Sequence, residues 1–485
     1  MRFSIVARIL SAIAGVLGIA MFFALGFAIY DRTSDIKILL VSILLCFATA
    51  IILNFWGKQG RVSTCSPKEA VCAVALSWII AAILGGFPLY IGGYVPTFLD
   101  ACFEAMSGFT TTGSSIMTST AIDTMPRGIA MWRNETMFLG GMGIVVLVIA
   151  IMPFLGLNTA RLFKAESPGP SLEKTSPRVK EMAGSLWKIY VGVTIVGILS
   201  LMVLGLDFFN ATTHVFAAVS TGGFSPHSAS TAYFASPAVD FCLAFLMLFC
   251  SLNFSVHFFA LKNRSLSAYK DSECRFFFAV VAIAVAIVTV TLLRDKTYTS
   301  LFEAFHQAFF HVSSLISTTG FVSADYGHWS HVCLFTFLTV MMIGGCAGST
   351  AGGIKCIRFQ IAFKGIKAQL ANTMHPNAVY TVRQNGEPVR EGYLLSIALF
   401  IVLYFSFWGI AILLSCMCGN DILSAMSAVT ATLSNVGPGM GQVGPIVSYA
   451  EQPVLAKFLY IICMMAGRLE LYTMLVLFTR DLWKK

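Results

Sequence analysis

Four short stretches of the chain join hydroxyl or amide side chains to a glycine. They are Phe109-Thr110-Thr111-Thr112-Gly113-Ser114, Ser220-Thr221-Gly222-Gly223-Phe224, Ser317-Thr318-Thr319-Gly320-Phe321 and Ser434-Asn435-Val436-Gly437-Pro438. What such residues offer is oxygen. Glycine takes positive φ without a side-chain clash and so can turn carbonyls inward, and rings of carbonyl oxygens can replace the water shell of an ion. Thr111, Thr112, Thr221, Thr318, Thr319 and Asn435 add groups that support those carbonyls or contribute oxygens of their own. The candidate ion-binding set is completed by Gly113, Gly222, Gly223, Gly320, Val436 and Gly437. The successive motif glycines are separated by 110, 97 and 117 positions, so a unit of about a hundred residues recurs four times. A single such tripeptide is an ordinary loop or helix break; four in the same setting describe a four-fold pore.

The composition fixes the medium in which these motifs work. With 57% hydrophobic residues, 11% charged residues and a mean hydropathy of +0.80, the chain reads as a polytopic membrane protein. Apolar runs long enough to span a bilayer lie at 3–29, 36–56, 70–94, 128–154, 185–206, 238–261, 276–293, 332–362, 393–417 and 454–479. Ten spans put both termini on one side. Arg2 and Arg8 ahead of the first span favour a retained anchor over a cleaved signal peptide. With a cytoplasmic N-terminus, 24 of the 32 basic residues fall inside, while Arg127, Arg133 and Lys457 fall outside or near the outer boundary. The net charge of +9 thus reflects topology, not nucleic-acid binding.

Each motif follows a short segment beginning near Asp100, Asp207, Glu303 or Asp421, where a carboxylate caps free N–H groups and suits the helix dipole. At about 1.5 Å per residue these helices reach only halfway through a hydrocarbon core about 30 Å thick. Their negative ends converge at one depth, which favours a cation. The expected fold class is all-α: a two-helix accessory hairpin (1–67) followed by four helix, re-entrant helix, filter, helix repeats at 68–160, 161–262, 263–365 and 366–485, set around one pseudo-four-fold pore.

Two features interrupt the apolar spans. Residues 344–353 hold five glycines, with Gly344, Gly345, Gly348, Ser349, Thr350, Gly352 and Gly353 as candidate gate residues. Glycines are poor helix formers, so the span must break there; the alternatives are tight helix packing and a flexible loop under the filter. Arg468 in the last span is costly in a membrane and should face water, a pore or a partner. Glu470 is a poor direct partner, since residues two apart on a helix do not face each other.

The thirteen cysteines show no CxxC pair and read as packing residues, and His306 and His311 read as packing or polar contacts. There is no GxGxxG, Walker or nucleophile-elbow pattern, so no enzyme is expected. Broken helices also build the midplane sites of proton- or sodium-coupled transporters, but those repeats usually come as a pair, and buried carboxylates are scarce here, Glu470 being the main one.

On the four motifs, the glycine-rich break and Arg468, the sequence resembles the Trk/Ktr/HKT superfamily of potassium transporters, in its bacterial branch and over the whole chain. The resemblance implies four M1-P-M2 repeats, with Gly113, Gly223, Gly320 and Gly437 as filter glycines. It also implies potassium conduction, because Gly113 stands where sodium-conducting members carry Ser, with Rb+ expected to permeate as well. A homodimer in the bacterial inner membrane follows, gated by residues 344–353 and Arg468. A cytosolic TrkA-type nucleotide-binding (RCK) subunit is the implied partner. The basic segments 157–184, 262–275 and 363–391 offer it a docking surface or simply follow the positive-inside bias. The motifs lack the second glycine of TVGYG, so less symmetric coordination and weaker discrimination against sodium are expected.

Overall fold

The computed structural model describes residues 2–58, 66–143, 179–378 and 380–480. Apart from a two-stranded hairpin that pairs Arg383–Gln384 with Glu387–Pro388, the described fold is helical. It opens with a hairpin of α1 (Phe3–Asp31) and α2 (Asp35–Trp56). Ile5, Ile9, Ile13, Leu17 and Met21 recur every four residues on the buried face of α1, the spacing of one helix stripe.

The first repeat comprises α3 (Pro67–Ile91), α4 (Phe98–Phe109) and α5 (Arg127–Gly141). In the second, α6 (Val179–Val203) and α7 (Phe208–Val219) precede α8 (Pro237–Cys250) and α9 (Phe254–Asn263). The third runs through α10 (Ser272–Arg294), α11 (Leu301–Ile316), α12 (His331–Ile343) and α13 (Cys356–Met374). Last come α14 (Glu391–Met417), α15 (Ile422–Leu433), α16 (Val454–Leu469) and α17 (Leu471–Val476).

One packing rule generates the ring. In every repeat the first helix packs on its own short helix: α3 on α4, α6 on α7, α10 on α11 and α14 on α15. The helix after the motif packs on the short helix of the next repeat: α5 on α7, α8 on α11, α12 on α15 and, closing the circle, α16 on α4. Buried ionisable pairs mark some of these seams. Lys457 Nζ lies 2.9 Å from Asp100 Oδ1 between α16 and α4, and His306 Nε2 lies 3.0 Å from Asp240 Oδ2 between α11 and α8. Lys457, and Arg133 with Glu104, are thus buried ion-paired residues within the fold.

Six described helices are long and apolar enough to cross a membrane, seven if α8 and α9 count as one bent span. The sequence reading of ten apolar runs, with a break only at the glycines of 344–353, is corrected at two inner helices. The run 238–261 breaks by 90° between α8 and α9. There Ser251 Oγ turns back to Met247 O at 2.7 Å and Asn253 Oδ1 caps the next helix by accepting from Ser255 N at 2.8 Å. The run 454–479 breaks at Glu470, whose φ is 56°, between α16 and α17. The run 332–362 breaks at the glycines, as their composition requires. The span expected at 128–154 begins as α5; its residues from 144 on, and most of the basic segment 157–184, lie outside the described residues.

The short helices are 12, 12, 16 and 12 residues long. Asp207 and Asp421 cap α7 and α15 as expected. Asp100 and Glu303 do not: Thr97 Oγ1 caps α4 by accepting from Asp100 N at 3.1 Å, and Ser300 before α11 makes no side-chain cap bond. Both carboxylates instead sit in the first helical turn, where the dipole still favours them.

Candidate ion-conducting site

The four motifs end their helices by one device. The N–H groups of Thr112, Gly222, Thr319 and Val436 donate, each at 2.8 Å, to the carbonyls of Ser107, Ala217, Ser314 and Ala431, five residues back. The N–H groups of Thr111, Thr221, Thr318 and Asn435 donate to Gly108, Ala218, Leu315 and Thr432. This is the Schellman termination, which normally takes glycine at its left-handed position. Here that position holds Thr111, Thr221, Thr318 and Asn435, with φ of 52°, 56°, 59° and 56°. Left-handed backbone in a β-branched residue is uncommon and costs on the order of 1–3 kcal/mol.

Two residues later each motif turns positive again, at Gly113 (82°), Gly223 (79°), Gly320 (82°) and Gly437 (105°). The residue between has ordinary negative φ. A plain strand sends successive groups to opposite sides, and alternating the sign of φ cancels that alternation. The motif can thus present a row of carbonyls to one side, as a cation path needs.

The glycines also show how the motifs meet. A Cβ built on Gly113 would lie 2.2 Å from the carbonyl oxygen of Gly222, one on Gly223 1.9 Å from that of Thr319, and one on Gly320 2.0 Å from that of Val436. On Gly437 it would lie 2.7 Å from that of Thr112. Each glycine faces the next repeat, and the fourth faces the first. The ring is closed, and all four glycines line one polar cavity of about 100 Å³.

The four arms of the ring differ. Thr110 Oγ1 and Thr112 Oγ1 are 2.7 Å apart, and Ser317 Oγ and Thr319 Oγ1 are likewise 2.7 Å apart. Gly222 and Val436 cannot form that pair. In the fourth arm Ser434 Oγ meets Tyr404 Oη at 2.8 Å, while Asn435 Nδ2 donates to Thr112 Oγ1 at 2.9 Å and to Met464 O at 3.0 Å. The Gly437 carbonyl accepts from Ser114 Oγ and from Tyr449 Oη, both at 3.0 Å.

Beneath the ring lies the glycine-rich segment, folded as a closed loop. Its neck is tied by Ile354 N to Met342 O, Lys355 N to Ile343 O and Cys356 N to Gly345 O. Gly344, Gly348 and Gly353 have positive φ, and a Cβ on Gly344 would meet Gly352 O at 2.3 Å, so the two sides of the neck need glycine to close. At the tip, Thr350 Oγ1 donates to Val219 O at 3.1 Å or Cys250 O at 3.2 Å, and Gly352 N donates to Thr318 Oγ1 at 2.7 Å. Ser349 Oγ stays within the loop, donating to Cys346 O. Gly345 packs on Ala351, and Gly352 sits under Ser434 and Asn435. The loop therefore touches three of the four filter arms.

Arg468 holds this arrangement from the side. Its guanidinium donates to Thr350 O at 2.7 Å and to Gly140 O and Gly141 O, each at 2.8 Å. The last two are carbonyls at the C-terminal end of α5, which a cation suits. Glu470 turns away and pairs with Arg358 at 2.5 Å.

Several participants were missed from the sequence. Arg133 Nε donates to Glu104 Oε1 at 2.7 Å and Nη1 to Ser225 O at 2.9 Å, while Glu104 Oε2 accepts from Ile116 N. This buried pair ties the chain leaving the first motif to that leaving the second. Glu273 Oε1 accepts from Ala347 N at 2.7 Å and Ile357 N at 3.2 Å, anchoring both sides of the loop. Charges isolated in apolar stretches were the available signal. His311 bonds Gln307 O and Ala324 O, the polar role expected of it. The twelve described cysteines are free, and among the described residues no group of three or more His, Cys, Asp or Glu could hold a metal ion.

The geometry defines a multi-span membrane protein whose four half-length helices close a ring of oxygens suited to a cation. A family model described as TrkH, cation transport protein, matches residues 41–485. The Trk system potassium uptake protein TrkH of Escherichia coli (strain K12) is 37% identical over 435 residues, 89% of this chain and 89% of the relative. TrkI of Halomonas elongata is 31% identical over 100% of this chain and 98% of its own. The crystal structure of the potassium transporter TrkH from Vibrio parahaemolyticus matches with a TM-score of 0.89 at 30% identity, covering 100% of both chains. The chain belongs to the TrkH family of cation transport proteins, which are transporters and not enzymes.

Proposed function

We propose that the protein takes up potassium across the bacterial inner membrane through a channel-like pore closed by residues 344–353 and Arg468. The observation that carries this is the closed cycle of motif glycines, each against a carbonyl of the next repeat. Potassium is favoured by relatives named for potassium uptake and by Gly113 in the first arm. Thr111, Thr112 and Gly113, with their counterparts Thr221, Gly222, Gly223, Thr318, Thr319, Gly320, Asn435, Val436 and Gly437, form the ion path. Rb+ follows the same route. The doubly hydrogen-bonded Gly437 carbonyl is less available to an ion than an open one, which supports asymmetric coordination and looser rejection of sodium.

In the closed state the loop blocks the pore, and Arg468 pins its tip. Opening replaces these bonds with water. The basic-rich face of α13 and the 383–388 hairpin lies on the loop's side of the filter. That side is cytoplasmic by the charge bias, and a TrkA-type nucleotide-binding ring docks there on a homodimer. Glu470, the carboxylate best placed by sequence for a proton relay, is engaged by Arg358, which supports a channel over a proton-coupled carrier. Proteoliposome uptake of Rb+ driven by a potassium gradient tests the reading. Uptake unaffected by collapsing the proton and sodium gradients is expected, and uptake that vanishes with either gradient would replace the channel by a symporter.

A further inference from the structure

On the side of the filter away from the loop, the chain leaving the second motif passes through a knot of two histidines. His214 on α7 is fully buried, and both its ring nitrogens are taken: Nδ1–H donates to Asn210 O at 2.8 Å and Nε2 accepts from Ser225 Oγ at 3.1 Å. Ser225 Oγ in turn accepts from His227 N at 3.0 Å, and His227 Nε2–H donates to Asn210 Oδ1 at 2.8 Å. The two oxygens of Asn210 can only accept, which fixes the tautomer of each ring. A cycle of hydrogen bonds closes there, two positions beyond Gly223.

The two rings differ in what they can still bind. His214 has no position left. His227 is half-buried, its Nδ1 makes no hydrogen bond to any described residue, and it lines the same polar cavity as Gly113, Gly223, Gly320 and Gly437. Its ring lies flat on that of Tyr233, with centroids 3.6 Å apart and planes 5° from parallel. A proton taken up at Nδ1 therefore puts a positive charge into the mouth above the filter, and the tyrosine face holds the charged ring in place.

The groups facing His227 make that charge matter. Asp123 ends the short helix Ser119–Asp123 and accepts from Ser228 N at 2.8 Å and Ser228 Oγ at 2.6 Å, while Asp207 heads α7 and accepts from Asn210 Nδ2. Arg133 also lines the cavity, but Glu104 matches its charge at 2.7 Å. With His227 neutral, these groups leave two carboxylates unmatched beside the mouth. With His227 charged, half of that attraction is cancelled. Burial holds the His227 pKa below its ordinary value of 6.5, against the opposing pull of Asp123 and Asp207. The ring is thus neutral at pH 7 and charges only as the solution turns acid.

We propose that His227 sets the cation-attracting charge of the pore mouth, so that acid on the filter side slows the entry of the ion. The proposal rests on the reading of the four-glycine ring as the ion path. One unit charge in a water-filled mouth lowers the local cation concentration about threefold to tenfold. Entry is the step affected, so the apparent KM for Rb+ rises and the saturating rate changes little.

The test is Rb+ uptake into proteoliposomes holding the full-length protein, with equal pH on both faces so that no proton gradient acts. From about pH 7.5 to about pH 5 the apparent KM of the wild type should rise about threefold to tenfold. His227→Gln keeps a donor for Asn210 but cannot charge, so its KM should hardly move over that range, whereas His227→Lys should show the acid value throughout. On the wild type, choline chloride at about 0.5 M should shrink the acid shift by screening, a response that a merely structural histidine would not give. An acid shift equal in wild type and His227→Gln, one indifferent to salt, or no shift at all would overturn the proposal. Wild-type protein that takes up no Rb+ even at neutral pH would remove the pore itself, and this proposal with it.

Discussion

The filter ring and the loop beneath it, two stretches of non-helical backbone among the described residues, are satisfied in opposite ways. Every filter arm secures its own N–H groups on the helix it ends, three and five residues back, through the same two bonds repeated four times. Its glycines then meet neighbouring carbonyls at distances that leave no room for a methyl group. The loop closes its own neck but borrows its outer anchors: Glu273 from α10, Thr318 from the filter, Ser251 from the α8–α9 corner and Arg468 from α16. Irregular backbone in a membrane persists only where protein or water satisfies it. Self-contained satisfaction makes a rigid element. Borrowed satisfaction makes one that can let go when its lenders move.

Paired glycine substitutions offer the hardest test of that contrast. Gly223→Ala must keep a positive φ and place a methyl 1.9 Å from Thr319 O, so conduction is expected to be abolished and the melting temperature lowered. In the loop, the nearest neighbour of a Cβ on Gly348 is Asn253 Oδ1 at 2.9 Å, a side chain whose displacement loosens the cap it gives to α9 but moves no filter carbonyl. Gly348→Ala therefore carries the backbone cost, about 1–3 kcal/mol, plus part of that cap, and should retain a filter that passes Rb+. Equal damage from both, in flux and thermal melting, would erase the distinction.

Release of the loop comes next in size. Arg468→Ala removes charge-assisted bonds to three carbonyls, and deleting residues 345–352 removes the loop tip itself. Basal Rb+ flux into proteoliposomes should rise on the order of tenfold or more, with the potassium-to-sodium ratio unchanged, because the filter keeps its own bonds. A smaller rise of severalfold is expected for Glu273→Ala, which frees Ala347 and Ile357 while the Arg468 anchor stays. Within the filter, Tyr449→Phe takes one of two donors from the Gly437 carbonyl. A bond worth about 1 kcal/mol should shift the ion selectivity ratio by a few-fold, read from bi-ionic flux, without raising basal flux.

How far the sequence reaches depends on whether a feature is local. The four motifs were legible because each repeats the same residues after a half-length apolar helix, and the loop because its glycines cannot sustain a helix. The positive φ at Thr111, Thr221 and Thr318 was not, since β-branched residues are the last expected in that conformation; only Asn435 is of a type that adopts it readily. The kink at Ser251 and Asn253 was masked by an apolar run of spanning length, although an N-cap residue stood inside it. The pairing of Arg133 and Lys457 was hidden because their partners, Glu104 and Asp100, are 29 and 357 residues away in sequence. Arg468 was recognised as needing a partner, but backbone carbonyls of α5 leave no signature in residue types.

Single-channel recording of the purified protein in planar bilayers, wild type beside the variant lacking residues 345–352, separates a loop-gated pore from a carrier. Unitary potassium currents are expected in both, reversing at the potassium equilibrium potential, with similar amplitude and much higher open probability in the variant. Uptake without unitary events, or a deletion that leaves open probability unchanged, would contradict a pore gated by this loop.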